Sequence, residues 1–231
     1  MVGQSRDWEP LRDKSLARVP RYVITPPTFR RSWHTYLRSV GGRYLDSIGI
    51  SEHDDLAVFI LSSLDPPNMT FYEDEFVQLF ERTLQVIAEE LTDITVVVKR
   101  HPATLPHYLQ QIDDIVARSS KERIVVADLH PMLLATRARF FIANCFSNTY
   151  FDAFGFRVPV IEFGHYSPAF LDAMGGGAAR PDLTTYFIDN DEEQLRQALR
   201  DVMEQPRRAA QFEYLDDPDY EQVMRIMVRA A

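Results

Sequence analysis

The chain has 231 residues, enough for one sizeable core but short of two large domains. Its composition of 45% hydrophobic, 12% aromatic and 26% charged residues, with only 9 Gly and 14 Pro, excludes a fibrous, low-complexity or disordered chain. A net charge of −9 argues against an affinity that rests on neutralising a phosphate backbone, so nucleic acid is not an expected partner. In chain order, residues 21–27 read as a strand closed by Pro26 and Pro27, and residues 29–40 carry a helical aromatic pattern through Phe29, Trp33, Tyr36 and Leu37. Gly41 and Gly42 are predicted to stop that helix.

From there short β-branched runs alternate with longer amphipathic stretches. Strands are predicted at residues 56–62, 95–99, 123–128, 140–144, 159–163 and 185–188, each apolar on both faces as buried parallel strands are. Between the first two, residues 73–91 place Phe76, Leu79, Phe80, Thr83, Leu84, Ile87 and Leu91 on one helical face. A second helix is predicted over residues 106–118, with Leu109, Ile112, Ile115 and Val116 inward. A last one runs from the acidic start Asp191, Glu192, Glu193 to Met203. This alternation predicts an α/β, Rossmann-like parallel sheet with helices on both faces. The expected division is an N-terminal extension or hinge remnant at residues 1–53, the sheet domain at 54–205 and a helical tail at 206–231. The loop at residues 173–181, with Gly175, Gly176 and Gly177, is the most flexible segment expected, and no internal repeat is found.

Cys145 is the single cysteine, which excludes an intramolecular disulfide and a cysteine-rich zinc site and fits a reducing compartment, hence the cytoplasm. No uncharged apolar run approaches the ~18 residues of a membrane helix. Residues 1–20 lack the apolar stretch of a signal peptide. A soluble chain is expected, with peripheral membrane contact left open.

Ligands of open parallel sheets gather beyond the carboxyl ends of the strands. Three exits carry chemistry. After Val96, Val97 and Val98 come Lys99, Arg100, His101 and Pro102; the proline ends the ladder and fixes His101 where its ring N–H can reach a phosphate oxygen. A packed surface histidine and two solvated cations fit the same residues. The second exit runs through Asn144 into Ser147, Asn148 and Thr149, read as the first turn of a helix whose hydroxyls and free N–H groups cradle an anion, with Asp152 one turn in. Plain capping by Ser147 is the bland alternative. The third exit leads through Gly164 and His165 to Tyr166, which suits stacking on a base or sealing the sheet edge. No HExxH or other metal-ligand spacing, no GxGxxG and no glycine–lysine phosphate loop occurs, so protein metal ligation is not expected. Cys145 has no His–acid pair at a defined spacing to activate it.

Taken in order, the strand ending in Lys99, Arg100, His101 and Pro102, Asp128 closing a later strand, the segment Ser147, Asn148, Thr149, Tyr150, Phe151, Asp152, and the run Pro159 to Gly164 resemble the donor-binding C-terminal half of GT-B glycosyltransferases of bacterial surface polysaccharide synthesis. Capsule-type transferases using CMP-sugars and CDP-glycerol glycerophosphotransferases are the most similar in pattern. The likeness covers residues 42–203; Arg157 stands where a glycine is usual, and Gly42, Arg43, Tyr44, Leu45 and Asp46 resemble a hinge segment without its proline. The resemblance implies a nucleotide-sugar donor as substrate, with cytidine as its nucleoside, and no cofactor. It makes His101 the catalytic contact to the donor phosphate, with Lys99, Arg100, Ser147, Asn148, Thr149, Asp152 and Tyr166 binding the donor, and with Tyr166 and the strand-end backbone near Asp128 bordering the base. A polysaccharide or glycolipid acceptor is implied, as is an acceptor half, with the general base, supplied by a partner chain or longer product. The half that would face it is expected to leave aromatic surface around residues 29–44. A non-catalytic nucleotide-sugar-binding module and a sugar-nucleotide epimerase are the alternatives.

Overall fold

The computed structural model describes residues 2–3, 22–23, 30–62, 73–119, 123–204 and 225. The chain divides into two compact units, one of Met1–Tyr36 with Gln211–Ala231 and one of Leu37–Ala210. In the first, β1 (Val2–Gly3) and β2 (Tyr22–Val23) form a short parallel pair. The predicted strand at 21–27 is described only at Tyr22 and Val23. The predicted helical tail at 206–231 lies outside the described residues apart from Arg225.

The second unit holds β3 (Leu56–Ile60), β4 (Thr95–Lys99), β5 (Ile124–Ala127), β6 (Ala138–Ala143), β7 (Val160–Gly164) and β8 (Tyr186–Asp189). They form one parallel sheet in the order β5-β4-β3-β6-β7-β8. Its helices are α2 (Glu73–Glu90), α3 (Pro106–Arg118), α4 (Pro131–Ala135), α5 (Tyr150–Gly155), α6 (Pro168–Ala173) and α7 (Glu192–Glu204), and α1 (Arg31–Asp46) crosses from the first unit into this one. All seven residues of the predicted α2 stripe are buried. Leu79, Phe80, Leu84, Ile87 and Leu91 pack with Phe59, Val96, Val98, Phe140 and Ile142 on one face of the sheet. Phe80 meets Phe59 at 4.9 Å, and burying each such side chain contributes about 1.5–3 kcal/mol. On the other face Leu56, Val58, Ile60, Val97 and Phe141 pack with Leu37 and Leu45 of α1 and with α4 and α5. Strands buried on both faces are what the uninterrupted apolar runs dictate.

Gly41 and Gly42 do not end α1. Leu37, Val40, Gly41 and Leu45 form its buried stripe, and that packing carries the helix through both glycines. Gly49 is the terminator: it takes φ of 78°, and the Ile50 N–H bonds the Leu45 carbonyl at 3.0 Å. Trp33 and Tyr36, stacked at 5.5 Å, are 37% and 51% exposed, and Tyr44 is 44% exposed. Phe29 lies outside the described residues.

The topology positions the site. The chain leaves β3 toward β4 and β5 on one side and returns through β6 to β7 and β8 on the other, so the connections diverge between β3 and β6. Ile60 pairs with Lys99 on one side and Ala143 on the other. The exits at Leu61, Arg100 and Asn144 therefore stand in one row.

Candidate functional site

Lys99 ends β4 and is only 8% exposed, because the strand draws its stem into the sheet while the ammonium donates to the Arg100 carbonyl. Burial lowers its pKa, partly offset by Asp128. Arg100 turns aside to α3, where its guanidinium bonds Asp113 Oδ1 at 2.5 Å. Pro102 breaks the ladder, and His101 folds back so that its Nδ1 accepts the Ala103 N–H at 3.2 Å. The ring proton is thus on Nε2. Burial first and the Lys99 charge second hold the imidazole below its ordinary 6.5, so at neutral pH it is an uncharged Nε2–H donor.

At the β6 exit Asn144 is fully buried, and its Nδ2 donates to Thr83 Oγ1 and the Phe163 carbonyl, both at 2.9 Å. Cys145 Sγ and Ser62 Oγ share a hydrogen bond of 2.7 Å that joins the exits of β3 and β6. Burial pushes the Cys145 thiol up to about 11, which removes it as a nucleophile at neutral pH. The expectation that Ser147, Asn148 and Thr149 form the first turn of a helix is corrected. α5 begins at Tyr150 and has six residues, and the three polar residues make the turn that precedes it. The Tyr150 N–H bonds the Ser147 carbonyl at 3.0 Å, and Ser147 Oγ accepts from Thr149 Oγ1 at 2.9 Å. Ser147 and Thr149 are half-buried and Asn148 is exposed. Tyr150 anchors this turn from below, donating from its fully buried hydroxyl to the Cys145 carbonyl at 3.0 Å. Asp152, half-buried in α5, has its carboxyl pushed up to about 6 by burial.

Tyr166 is corrected as a candidate contact to a base. It is 4% exposed, its ring stacks on Phe170 and Phe187 at 5.2 and 5.5 Å, and its hydroxyl donates to Glu162. It supports the strand end rather than facing a ligand. Glu162 is fully buried in β7, and burial raises its pKa against the opposing hydrogen bonds of Tyr166 and Tyr150. Its signal in the sequence was a lone carboxylate inside an apolar strand.

Lys99, His101 and the turn at residues 147–149 are thus brought to one edge of the sheet, on the two neighbours of β3, whose strand axes lie ~10 Å apart. Arg100 and Tyr166 are not brought into that group. Asp128, at the exit of β5, is exposed. Among the described residues there is no group of three or more His, Cys, Asp or Glu able to hold a metal ion, and no helix long and apolar enough to cross a membrane.

No protein-family model matches the sequence, and no curated protein does. Among solved structures, UDP-GlcNAc 2-epimerase from Methanocaldococcus jannaschii superposes with a TM-score of 0.54 at 14% identity, over 90% of this chain and 56% of that one. S. aureus MnaA, solved with UDP, gives 0.54 at 14% identity over 91% of this chain and 53% of its own. The glycosyl transferase family 9 protein from Veillonella parvula is looser, at 0.46 and 13% identity over 85% and 52%. The chain spans about half the length of these proteins. Strand order and the superposition on the epimerase together show a Rossmann-like α/β half of the GT-B architecture.

Proposed function

We propose that the chain binds a nucleotide-activated sugar or polyol phosphate at the exits of β3, β4 and β6, and that it is the donor half of a glycosyltransferase of surface polysaccharide synthesis. Cytidine is the nucleoside this reading takes, from the order of the sequence motifs. The observation that carries it is the shared register of Lys99 and Ala143 on Ile60, which sets His101 and the turn at residues 147–149 beside the same crevice.

Charge grows on the donor phosphate as the glycosidic bond stretches. The Nε2–H of His101 is fixed in direction by the Ala103 bond, and it donates to that oxygen without first reorganising. The Ser147 hydroxyl, which accepts from Thr149 Oγ1, adds a neutral donor on the β6 side. Such bonds accelerate the reaction only to the extent that they strengthen as charge develops. Asp152 lies behind the turn and is suited to accept from a ribose hydroxyl. The acceptor, a polysaccharide or glycolipid at the membrane surface, and the base that deprotonates it belong to a second half, supplied by a partner chain or a longer product.

The superposition on UDP-GlcNAc 2-epimerase favours a second reading, a sugar-nucleotide epimerase half using UDP. Calorimetry with CMP, CDP and UDP, followed by assays of donor hydrolysis and of UDP-GlcNAc epimerisation, separates the two. The expected result is cytidine nucleotide binding that weakens roughly tenfold in His101→Ala, the loss of one charge-assisted hydrogen bond. Preference for UDP with an inverted sugar carbon would establish the second reading, and failure of every nucleotide to bind would remove both.

A further inference from the structure

Glu162 is the only buried acid among the described residues, and the proposed site makes no direct use of it. It sits inside the sheet, paired with Ala143 of β6 on one side and Phe187 of β8 on the other. A carboxylate there is costly unless a cation or several donors complete it. Burial acts on it first, then the hydroxyls of Tyr166 and Tyr150, and among the described residues no arginine, lysine or histidine does. Oε2 is buried and has no hydrogen-bond partner among those residues. A proton on the carboxyl removes the uncompensated charge.

The surroundings are built to reach this carboxyl. The Tyr166 ring folds back across the strand end to donate to Glu162 Oε1, and a Cβ on Gly164 would lie 2.2 Å from its Cε2, so glycine is what lets the ring pass. Asp189 Oδ1 holds the Tyr166 N–H at 2.9 Å. From α5 the buried Tyr150 hydroxyl faces the same carboxyl closely enough to act on it through a hydrogen bond. Tyr150 has a single proton, however, and gives it to the Cys145 carbonyl at 3.0 Å. An ionised Glu162 can only accept, so it competes with that carbonyl for the proton. A neutral Glu162 can donate to the Tyr150 oxygen instead, and the bond to Cys145 is kept.

We propose that Glu162 is a positioning residue acting through Tyr150: as a neutral acid it directs the Tyr150 proton to the Cys145 carbonyl and fixes the turn at residues 147–149, and its ionisation releases that turn. The functional consequence, a site that loosens as pH rises, rests on the reading of the turn as part of a nucleotide site. The other titratable groups around the carboxyl do not produce the same switch. Burial raises both phenols, and the Cys145 thiol is pushed up to about 11, so all three keep their protons while Glu162 titrates. Asp189, at the end of β8, acts on Tyr166. Asp152 of α5 titrates at about 6 and does so whether or not residue 162 can ionise, so a Glu162→Gln chain is its control.

Hydrogen exchange of the Tyr150 amide, whose N–H bonds the Ser147 carbonyl at 3.0 Å, reads the turn directly on the full chain and on Glu162→Gln and Tyr150→Phe. Gln accepts from Tyr166 and donates to Tyr150 at every pH, and so copies the neutral acid, while Phe lacks the proton. After correction for intrinsic base catalysis, wild type should exchange about tenfold faster at pH 8 than at pH 5, the loss of one hydrogen bond. Glu162→Gln should stay slow at both pH values and Tyr150→Phe fast at both. The infrared carbonyl band of a protonated acid should appear in wild type minus Glu162→Gln at pH 5 and fade by pH 8. Thermal melting confirms that each variant folds, and Tyr150→Phe decides alone if Glu162→Gln does not. The same pH response in wild type and Glu162→Gln, or slow exchange in Tyr150→Phe at pH 5, overturns the positioning role and leaves any nucleotide site standing. CDP, measured by calorimetry, should bind the two chains alike at pH 5 and wild type several-fold more weakly than Glu162→Gln at pH 8. CDP that binds neither chain, or both alike at pH 8, takes the turn out of a nucleotide site and leaves the positioning role standing.

Discussion

Asp152 couples the proposed site to stability. Its carboxyl titrates at about 6 in the folded chain against an ordinary 3.8, because burial penalises the charged form. A raised folded pKa contributes stability that is fully present below about pH 4 and is lost as pH rises through 6, since the native state then binds the proton more tightly than the unfolded one. Asp152→Asn removes that penalty. Urea denaturation should show the variant gaining about 1–2 kcal/mol over wild type at pH 7.5, after allowance for solvent screening, and gaining little at pH 3.5. Glu162 contributes with the same sign in both proteins, so the difference between them isolates Asp152. A gain that is equal at both pH values would show that burial of the charge is not the cause. Residues of this kind were unevenly legible. His101 announced itself through the proline after a cationic strand end, whereas His130, with the same dipeptide, gives no such signal because Asp128 and Leu129 separate it from the end of β5. Arg157 takes φ of 61° where a glycine is usual, and the turn closes with the Val158 N–H on the Ala153 carbonyl at 2.9 Å. Tertiary context there forces a conformation that local preference disfavours.

At the scale of elements, the two central glycines of α1 are chemically identical and physically opposite. A Cβ on Gly41 would lie 2.9 Å from Thr136 Oγ1, so this glycine allows the helix to approach the residue that follows α4. A Cβ on Gly42 meets nothing within 4 Å. Gly42→Ala should therefore stabilise the fold by about 0.5–1 kcal/mol, the ordinary helix-interior difference, while Gly41→Ala should destabilise it by about 1 kcal/mol or more as Thr136 is displaced. Thermal or urea melts of the pair check this; two shifts of the same sign would mean that α1 does not pack as described. The same contrast explains why the helix end was misplaced: glycine as a stop signal is a backbone preference of under a kcal/mol or so, and burial of Leu37, Val40 and Leu45 outweighs it. The six sheet strands and helices α2, α3 and α7 were legible because each is a long apolar run or a sustained 3.6-residue stripe. The helices α4 and α6 have five and six residues, too short for periodicity to register.

For the molecule as a whole, the exits of β3 and β6 are tied together by hydrogen bonds that form the floor of the crevice. Ser62 bonds Cys145 across it, Tyr150 bonds the Cys145 carbonyl beneath it, and Asn144 ties the same exit to Phe163 on β7 and Thr83 on α2. Cys145 is half-buried in the loop that leaves β6, and its thiol is held by Ser62 in the loop that leaves β3, so a bulky reagent reaches it when those two exits move apart. Its pKa of about 11 further reduces the thiolate available at pH 8. Labelling of Cys145 by an aromatic disulfide reagent should be roughly tenfold or more slower in the native chain than in guanidinium, because the thiol is half-buried and bonded to Ser62. A nucleotide bound in the crevice holds the two exits together by mass action, so at about 100 times its Kd it should slow labelling further, by up to about a hundredfold. Native labelling as fast as in denaturant would show that the exits are not joined. Slow labelling that nucleotide leaves unchanged would place the ligand away from the Ser62–Cys145 junction at the sheet's topological switch, because a ligand seated there covers the exits that the reagent must pass.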